Sequence, residues 1–181
     1  MSRIGNEIIH IPAGVTVDVS NNVITVKGPK GTLSQEYDPI ITPAVEGNVV
    51  KFTRADDLGP TKAKHGLYRA LTANMVKGVT EGYQKNLIIN GVGYKVAKQG
   101  NKVVLNVGFS HPVEVVETEG ISLECPSANE IVVKGISKEK VGQFAAMVRS
   151  IREPEPYHGY GIRYNDEVIE RKVGKAAGSK G

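Results

Sequence analysis

The run Tyr157-His158-Gly159-Tyr160-Gly161-Ile162-Arg163-Tyr164 concentrates the residue types with the most chemistry to offer. Aromatic rings can stack on unpaired bases or pack against sugars. Glycine lets a backbone approach a phosphate closely, and Arg supplies bidentate, charge-assisted contacts. Pro154 and Pro156 stiffen the entry, so that less entropy is lost on binding. The pattern points to RNA contact, although a glycine-rich loop packing on its own domain would use the same residues. Two basic segments accompany it. Residues 62–77 hold Lys62, Lys64, Arg69, Lys77 and His65 with no acid, and a solvated helix face is the ordinary alternative there. Arg171, Lys172, Lys175 and Lys180 follow Glu170 with no further acid.

Signals of catalysis are poor. His10, His65, His111 and His158 are scattered at no metal-ligand spacing. There is no CxxC, GxSxG, Walker or GxGxxG motif. Asn90-Gly91-Val92-Gly93 follows an apolar run but precedes no helix, so it suits a bend between strands. Asp56-Asp57 suits a helix N-terminus, and Asp166-Glu167 suits a polar turn. Cys125 ends an alternating run with Ile121 and Leu123 and has no base motif beside it, which marks a strand residue, not a nucleophile. No catalytic residue, metal ligand, cofactor or small-molecule substrate is expected.

These residues sit in a chain of 181, enough for one ordinary domain or two small ones. Hydrophobic residues make up 40%, which excludes wholesale disorder. The 21 glycines and 9 prolines favour many turns and short elements. A formal charge of +4 points only weakly to a polyanion, so the segregation of charge matters more. A lone cysteine suits a reducing cytoplasm. No apolar run approaches the roughly 18 residues of a membrane span, and the start lacks a signal peptide. A soluble, cytoplasmic protein with no membrane partner is expected.

The elements that must carry these residues read as strands first. Val15, Val17 and Val19 alternate, Asn21-Asn22 turns, and Val23, Ile24 and Val26 resume, which predicts a hairpin. Gly28-Pro29-Lys30-Gly31 is a second turn, with strands over 32–37 and 48–54. Residues 61–75 have helical spacing. Ala63, Leu67, Ala70 and Leu71 are expected on the apolar face, with Lys62, His65 and Arg69 opposite. Pro60 suits its start and Gly78 its end.

The second half repeats this order. A hairpin is expected around Gln99-Gly100-Asn101, strands near Val113, Ile121 and Ile131, and a helix over 138–152 buried through Val141, Phe144, Ala145, Val148 and Ile151. Gly66-Leu67-Tyr68-Arg69-Ala70-Leu71 parallels Gly142-Gln143-Phe144-Ala145-Ala146-Met147. The chain therefore reads as an internal duplication of α+β class. Each of two domains is a mainly antiparallel sheet packed against one helix, and a basic C-terminal tail follows. The expected spans are 1–81, 82–172 with the RNA-binding run, and a flexible tail at 173–181.

Pro154-Glu155-Pro156-Tyr157-His158-Gly159-Tyr160-Gly161-Ile162-Arg163-Tyr164 resembles the signature of the universal large-subunit ribosomal protein six family in its bacterial form. Ser2-Arg3-Ile4-Gly5, Ile11-Pro12-Ala13-Gly14-Val15, Val26-Lys27-Gly28-Pro29-Lys30-Gly31, Gly108-Phe109-Ser110-His111-Pro112, Asp166-Glu167 and Arg171-Lys172-Val173-Gly174-Lys175 match it as well. The resemblance runs essentially end to end. It implies a structural constituent of the large subunit that binds 23S ribosomal RNA, chiefly through the second domain and tail. It also implies a position near the stalk base and factor-binding region, in the cytoplasmic ribosome, beside neighbouring large-subunit ribosomal proteins. The RNA-binding set expected is Tyr157, His158, Gly159, Tyr160, Gly161, Arg163, Tyr164, Arg171, Lys172, Lys175, Arg152, Ser110, His111, Lys62, His65 and Arg69. The family signature commonly carries Lys where this chain has His158 and Tyr160, so two cations become a mostly neutral ring and a phenol. A protein-binding module that captures a partner strand at a sheet edge, and a small enzyme, are the competing readings. The basic segments favour RNA.

Overall fold

The structure is a computed structural model that describes residues 3–175; Lys180 of the expected tail lies outside them. The chain divides into two compact units. One runs to Tyr83 and takes in Ile136–Lys138; the other holds Gln84–Gly135 and the chain from Glu139 onward. No helix among the described residues is long and apolar enough to cross a membrane.

The first unit contains α1 (Arg3–Asn6), β1 (Ile9–His10), β2 (Thr16–Ser20), β3 (Val23–Gly28), β4 (Gly31–Glu36), β5 (Ile41–Glu46), β6 (Val49–Arg54) and α2 (Gly59–Thr80). All of its strand pairs are antiparallel, in the orders β2-β3-β4 and β1-β6-β5. Asn21 and Asn22 both have positive φ, the requirement of the two-residue turn whose twist matches a hairpin. Alternation sends Ile24, Val26, Val50 and Phe52 inward, where they pack with Ile41, Met75, Val76 and Val79. Strand β5 was not foreseen. Its Pro43 breaks the apolar rhythm but is tolerated because β5 is an edge strand.

Helix α2 presents the reverse of its expected face. Thr61, His65, Thr72, Met75, Val76 and Val79 are buried, while Leu67 is exposed and Ala63 faces solvent. The Nε2–H of His65 donates to the Phe52 carbonyl at 2.8 Å, and Nδ1 then accepts from Arg54 Nη1 at 3.1 Å. Both polar atoms of the ring are thereby satisfied and the ring can be buried. Gly5 lies against it, where a Cβ would come within 2.5 Å. The paired aspartates do not enter the helix either. Asp56 accepts from the Leu58 N–H ahead of it, Asp57 pairs with Arg54, and the N-cap Leu58 has no side-chain cap. The helix ends beyond Gly78, at Thr80, and Gly82 at φ +78 turns the chain away. Gly78 instead permits close packing, since a Cβ there would meet the Ile136 carbonyl oxygen.

Apart from the end residues Tyr83 and Lys138, the second unit contains β7 (Tyr83–Asn90), β8 (Lys95–Gln99), β9 (Lys102–Asn106), β10 (Val113–Val116), β11 (Ile121–Ser127), β12 (Glu130–Gly135), α3 (Lys138–Ile151) and β13 (Gly161–Tyr164). Its sheets run β10-β9-β8 and β11-β12-β7-β13, with β8–β9, β9–β10, β11–β12 and β7–β13 paired antiparallel. Helix α3 buries Val141, Phe144, Ala145 and Val148, the face its spacing predicted. Part of the glycine-rich run is a strand. β13 pairs with β7 from Gly161↔Asn90 to Tyr164↔Leu87, and it buries Ile162 completely. Cys125 lies in β11, and burial pushes its thiol up despite Lys98 nearby, which suits an inert strand residue.

Candidate nucleic-acid interface

The segment from Arg152 to Tyr164 leaves α3 and returns as β13. Glu155 organises its turn. One carboxylate accepts the backbone N–H groups of Tyr157 (2.9 Å), His158 (2.5 Å) and Tyr160 (3.3 Å). The Glu155 carbonyl takes the Gly159 N–H at 3.0 Å. Burial pushes the Glu155 carboxyl up, but the three amides and His158 outweigh it and hold it below the ordinary carboxylate value. Gly159 is buried at φ +73, a conformation only glycine adopts freely. Gly161 is pressed against the backbone carbonyls of Arg152 and Glu153. Gly161 thus serves close approach of the chain to itself, and Gly159 supplies the positive φ of the turn.

Arg163 also turns inward. Its Nη1 donates to the carbonyls of Tyr164, Asn165 and Glu167, at 3.0, 3.3 and 3.3 Å. Tyr164 lies half-buried under the cations of Lys85 and Arg149, at 5.3 and 5.7 Å from its ring. Arg149 is held by Glu167, which also accepts the Tyr164 N–H. That partner raises the Arg149 pKa and lowers that of Glu167. Together these residues build the turn that follows β13.

What faces outward is a row of rings with cations beside them. His158 stacks on Tyr160 at 5.2 Å and 23°, and Tyr160 meets Tyr94 edge-on at 6.4 Å. Tyr94 in turn lies against Gly108. Next along the chain Phe109 stacks on His111 at 6.4 Å and 26°, and the Arg152 guanidinium lies over Phe109 at 5.3 Å. Tyr157, His158, Ser110, His111 and Arg152 are exposed. The Arg171 side chain reaches the Gly159 position, and the Lys172 N–H donates to the Pro156 carbonyl, which docks both exposed cations on the loop. Lys175 is exposed and ends the described chain.

The structure thus gathers Arg152, Ser110, His111, Tyr157, His158, Tyr160, Arg171 and Lys172 on one surface of the second unit. It does not do so for the α2 residues, which lie in the first unit. His65 is buried, and Arg69 pairs with Glu7 while its Nε donates to the Glu7 carbonyl. Lys62 is half-buried. Three contributors were missed from the sequence: Tyr94, Phe109 and Glu155. Phe109, flanked by Gly108 and Ser110 in a turn, carried a signal of exposure. Glu155, ahead of a glycine-rich run, carried a signal for capping consecutive amides. Tyr94 carried none, because its contacts are distant in the chain. Among the described residues no group of His, Cys, Asp or Glu could hold a metal ion.

Comparison with known proteins adds to this geometry. The family described as Ribosomal protein L6 matches over residues 11–82 and 90–165. The first segment spans β2 to α2 and the second spans β8 to β13, one for each copy of the duplication. Its relatives include proteins that bear the name Large ribosomal subunit protein uL6. That of Exiguobacterium sibiricum is 55% identical over 175 residues, 97% of this chain and 98% of that protein. That of Desulfitobacterium hafniense is 55% identical over 181 residues, 100% and 98%. That of Caldicellulosiruptor bescii is 56% identical over 176 residues, 97% of each.

Proposed function

The chain belongs to the Ribosomal protein L6 family, and from that premise we propose that it is a non-enzymatic structural constituent of the large ribosomal subunit. It binds 23S ribosomal RNA, near the stalk base and factor-binding region, beside other large-subunit proteins. The contact surface is the ring-and-cation patch of the second unit: Tyr157, His158, Tyr160, Ser110, His111, Arg152, Arg171 and Lys172, continued by Lys175. His65 and Arg69 of α2 are not part of it, because their polar atoms are already engaged within the first unit. Gly159, Gly161, Arg163 and Tyr164 support it from within.

The observation that carries this reading is the clustering of three exposed cations, Arg152, Arg171 and Lys172, around stacked, solvent-facing rings. The test is filter binding to large-subunit RNA across a salt series. If each cation meets one phosphate, log affinity falls against log salt with a slope of roughly −2 to −3. Replacing all three by Gln flattens the slope. A slope unchanged by that triple substitution would remove the patch from the interface.

A further inference from the structure

The loop spends its phosphate-binding equipment on itself. The N–H groups of residues 157–160 all end on Glu155, through its carboxylate or its carbonyl. The Ile162 N–H ends on the Arg152 carbonyl at 2.7 Å. Arg163 faces three carbonyls of its own turn. Among the exposed cations, Arg152 and Arg171 each stand beside a carboxylate in sequence, Glu153 and Glu170. A backbone-reading surface is built the opposite way, with free amides and unopposed positive charge.

The rings, by contrast, are supported from behind and open in front. Tyr94 backs Tyr160, and Tyr160 backs His158, whose side chain is 70% exposed. Glu155 also touches the edge of the His158 ring, with Nδ1 at 3.4 Å from its carboxylate, which fixes the ring's tilt. The nearly parallel Phe109–His111 pair, topped by Arg152, offers a second platform in the same patch. A ring held on one side by another ring is preorganised, so a base adding to the stack loses affinity only to its own ordering. Every base has a π-face, and stacking of this kind tolerates sequence.

Resting on the assignment of this patch to RNA, we propose that it takes unpaired bases by stacking on His158 and on the Phe109–His111 pair, not duplex backbone by phosphate contact. The three cations then meet phosphates of the same unpaired strand, which sets its orientation around the stack. Residue 158 acts in this chain through its ring, where a lysine would act through charge.

The test uses the full chain with large-subunit RNA, and with a short oligoadenylate carrying a fluorescent adenine analogue, single-stranded or in a duplex. His158→Ala lowers affinity for both the large-subunit RNA and the single strand by about five- to 150-fold, the span for loss of one base–aromatic stack. His158→Phe, which keeps a ring and discards the titratable nitrogen, stays within about twofold of the parent. Neither substitution changes the salt slope, because no counterion is released by stacking. Binding of the protein quenches the analogue in the single strand and leaves its emission in the duplex unchanged. Equal loss in His158→Ala and His158→Phe, no loss in either, or a duplex bound as tightly as the strand, overturns the stacking assignment while leaving ribosomal RNA binding in place. A parent chain that binds no large-subunit RNA overturns the underlying RNA assignment instead. Since His158 is exposed, thermal melts of both variants should match the parent.

Discussion

Replacing Gly161 by Ala separates two uses of the same glycine. It sits at φ +150, and a Cβ built on it would lie 2.6 Å from the Glu153 carbonyl oxygen and 2.7 Å from that of Arg152. Both obstacles are backbone atoms, so neither can swing aside as a flexible side chain would. To admit the methyl group, β13 must move away from the end of α3 by several tenths of an ångström. That shift strains the 2.7 Å bond from the Ile162 N–H to Arg152 and the register with β7, while Ile162 itself is fully buried. Overpacking costs about 1–3 kcal/mol, and a weakened hydrogen bond adds about 1 kcal/mol. Gly161→Ala should therefore destabilise the second unit by about 2–4 kcal/mol. Urea unfolding followed by far-ultraviolet circular dichroism measures this as a lower midpoint at an unchanged slope. Gly159→Ala is the control. Its Cβ would meet only the flexible Arg171 side chain, at 3.4 Å, so its cost is that of left-handed backbone, about 1–2 kcal/mol. If Gly161→Ala unfolds at the parent midpoint yet loses RNA affinity, the glycine makes room for a ligand and the packing account fails.

The remaining expectations address other links. His65→Ala empties a buried site and strands the Phe52 carbonyl, so it should cost about 3–4 kcal/mol, with RNA affinity of the folded protein unchanged; a stable variant with weakened RNA binding would return α2 to the interface. Arg163→Ala removes a guanidinium from three carbonyls and should cost about 1.5–3 kcal/mol of stability; paired melts and filter binding should show the stability loss exceeding any change in affinity. Glu155 gives a pH dependence with a definite sign. Its folded-state pKa lies below the ordinary 4.5, so its contribution is complete above that value and disappears as pH falls through the lower folded one. Protection of the Tyr157, His158 and Tyr160 amides, relative to their intrinsic exchange rates, should fall in that acid window, and Glu155→Gln should abolish the dependence; protection unaffected by the substitution would refute the capping role.

Much of this protein is legible because its signals are local. Alternation in β3, β6 and β9, positive-φ residues at Asn21-Asn22 and Gly100, and the face of α3 all follow from neighbours within a few residues. The duplication is legible for the same reason, and it held the key to the one inverted face. Displaced by 76 residues, His65 falls on Val141, Tyr68 on Phe144 and Thr72 on Val148, all positions that α3 buries or packs inward. Read alone, α2 misleads because its inward residues are polar. Their burial is permitted by partners that only folding brings near: Phe52 and Arg54 from β6, and Gly5 from the first turn. The residues of the 152–172 segment were likewise legible as types, and the ribosomal family with them. Which side chains face outward was not. That depends on one residue, Glu155, claiming four successive amides, three through its carboxylate and one through its carbonyl, on α3 ending where Gly161 must pass, and on Tyr94 arriving from another loop to support Tyr160. Residue type states what a side chain can bind; the tertiary structure decides which of those capacities the protein has already used on itself.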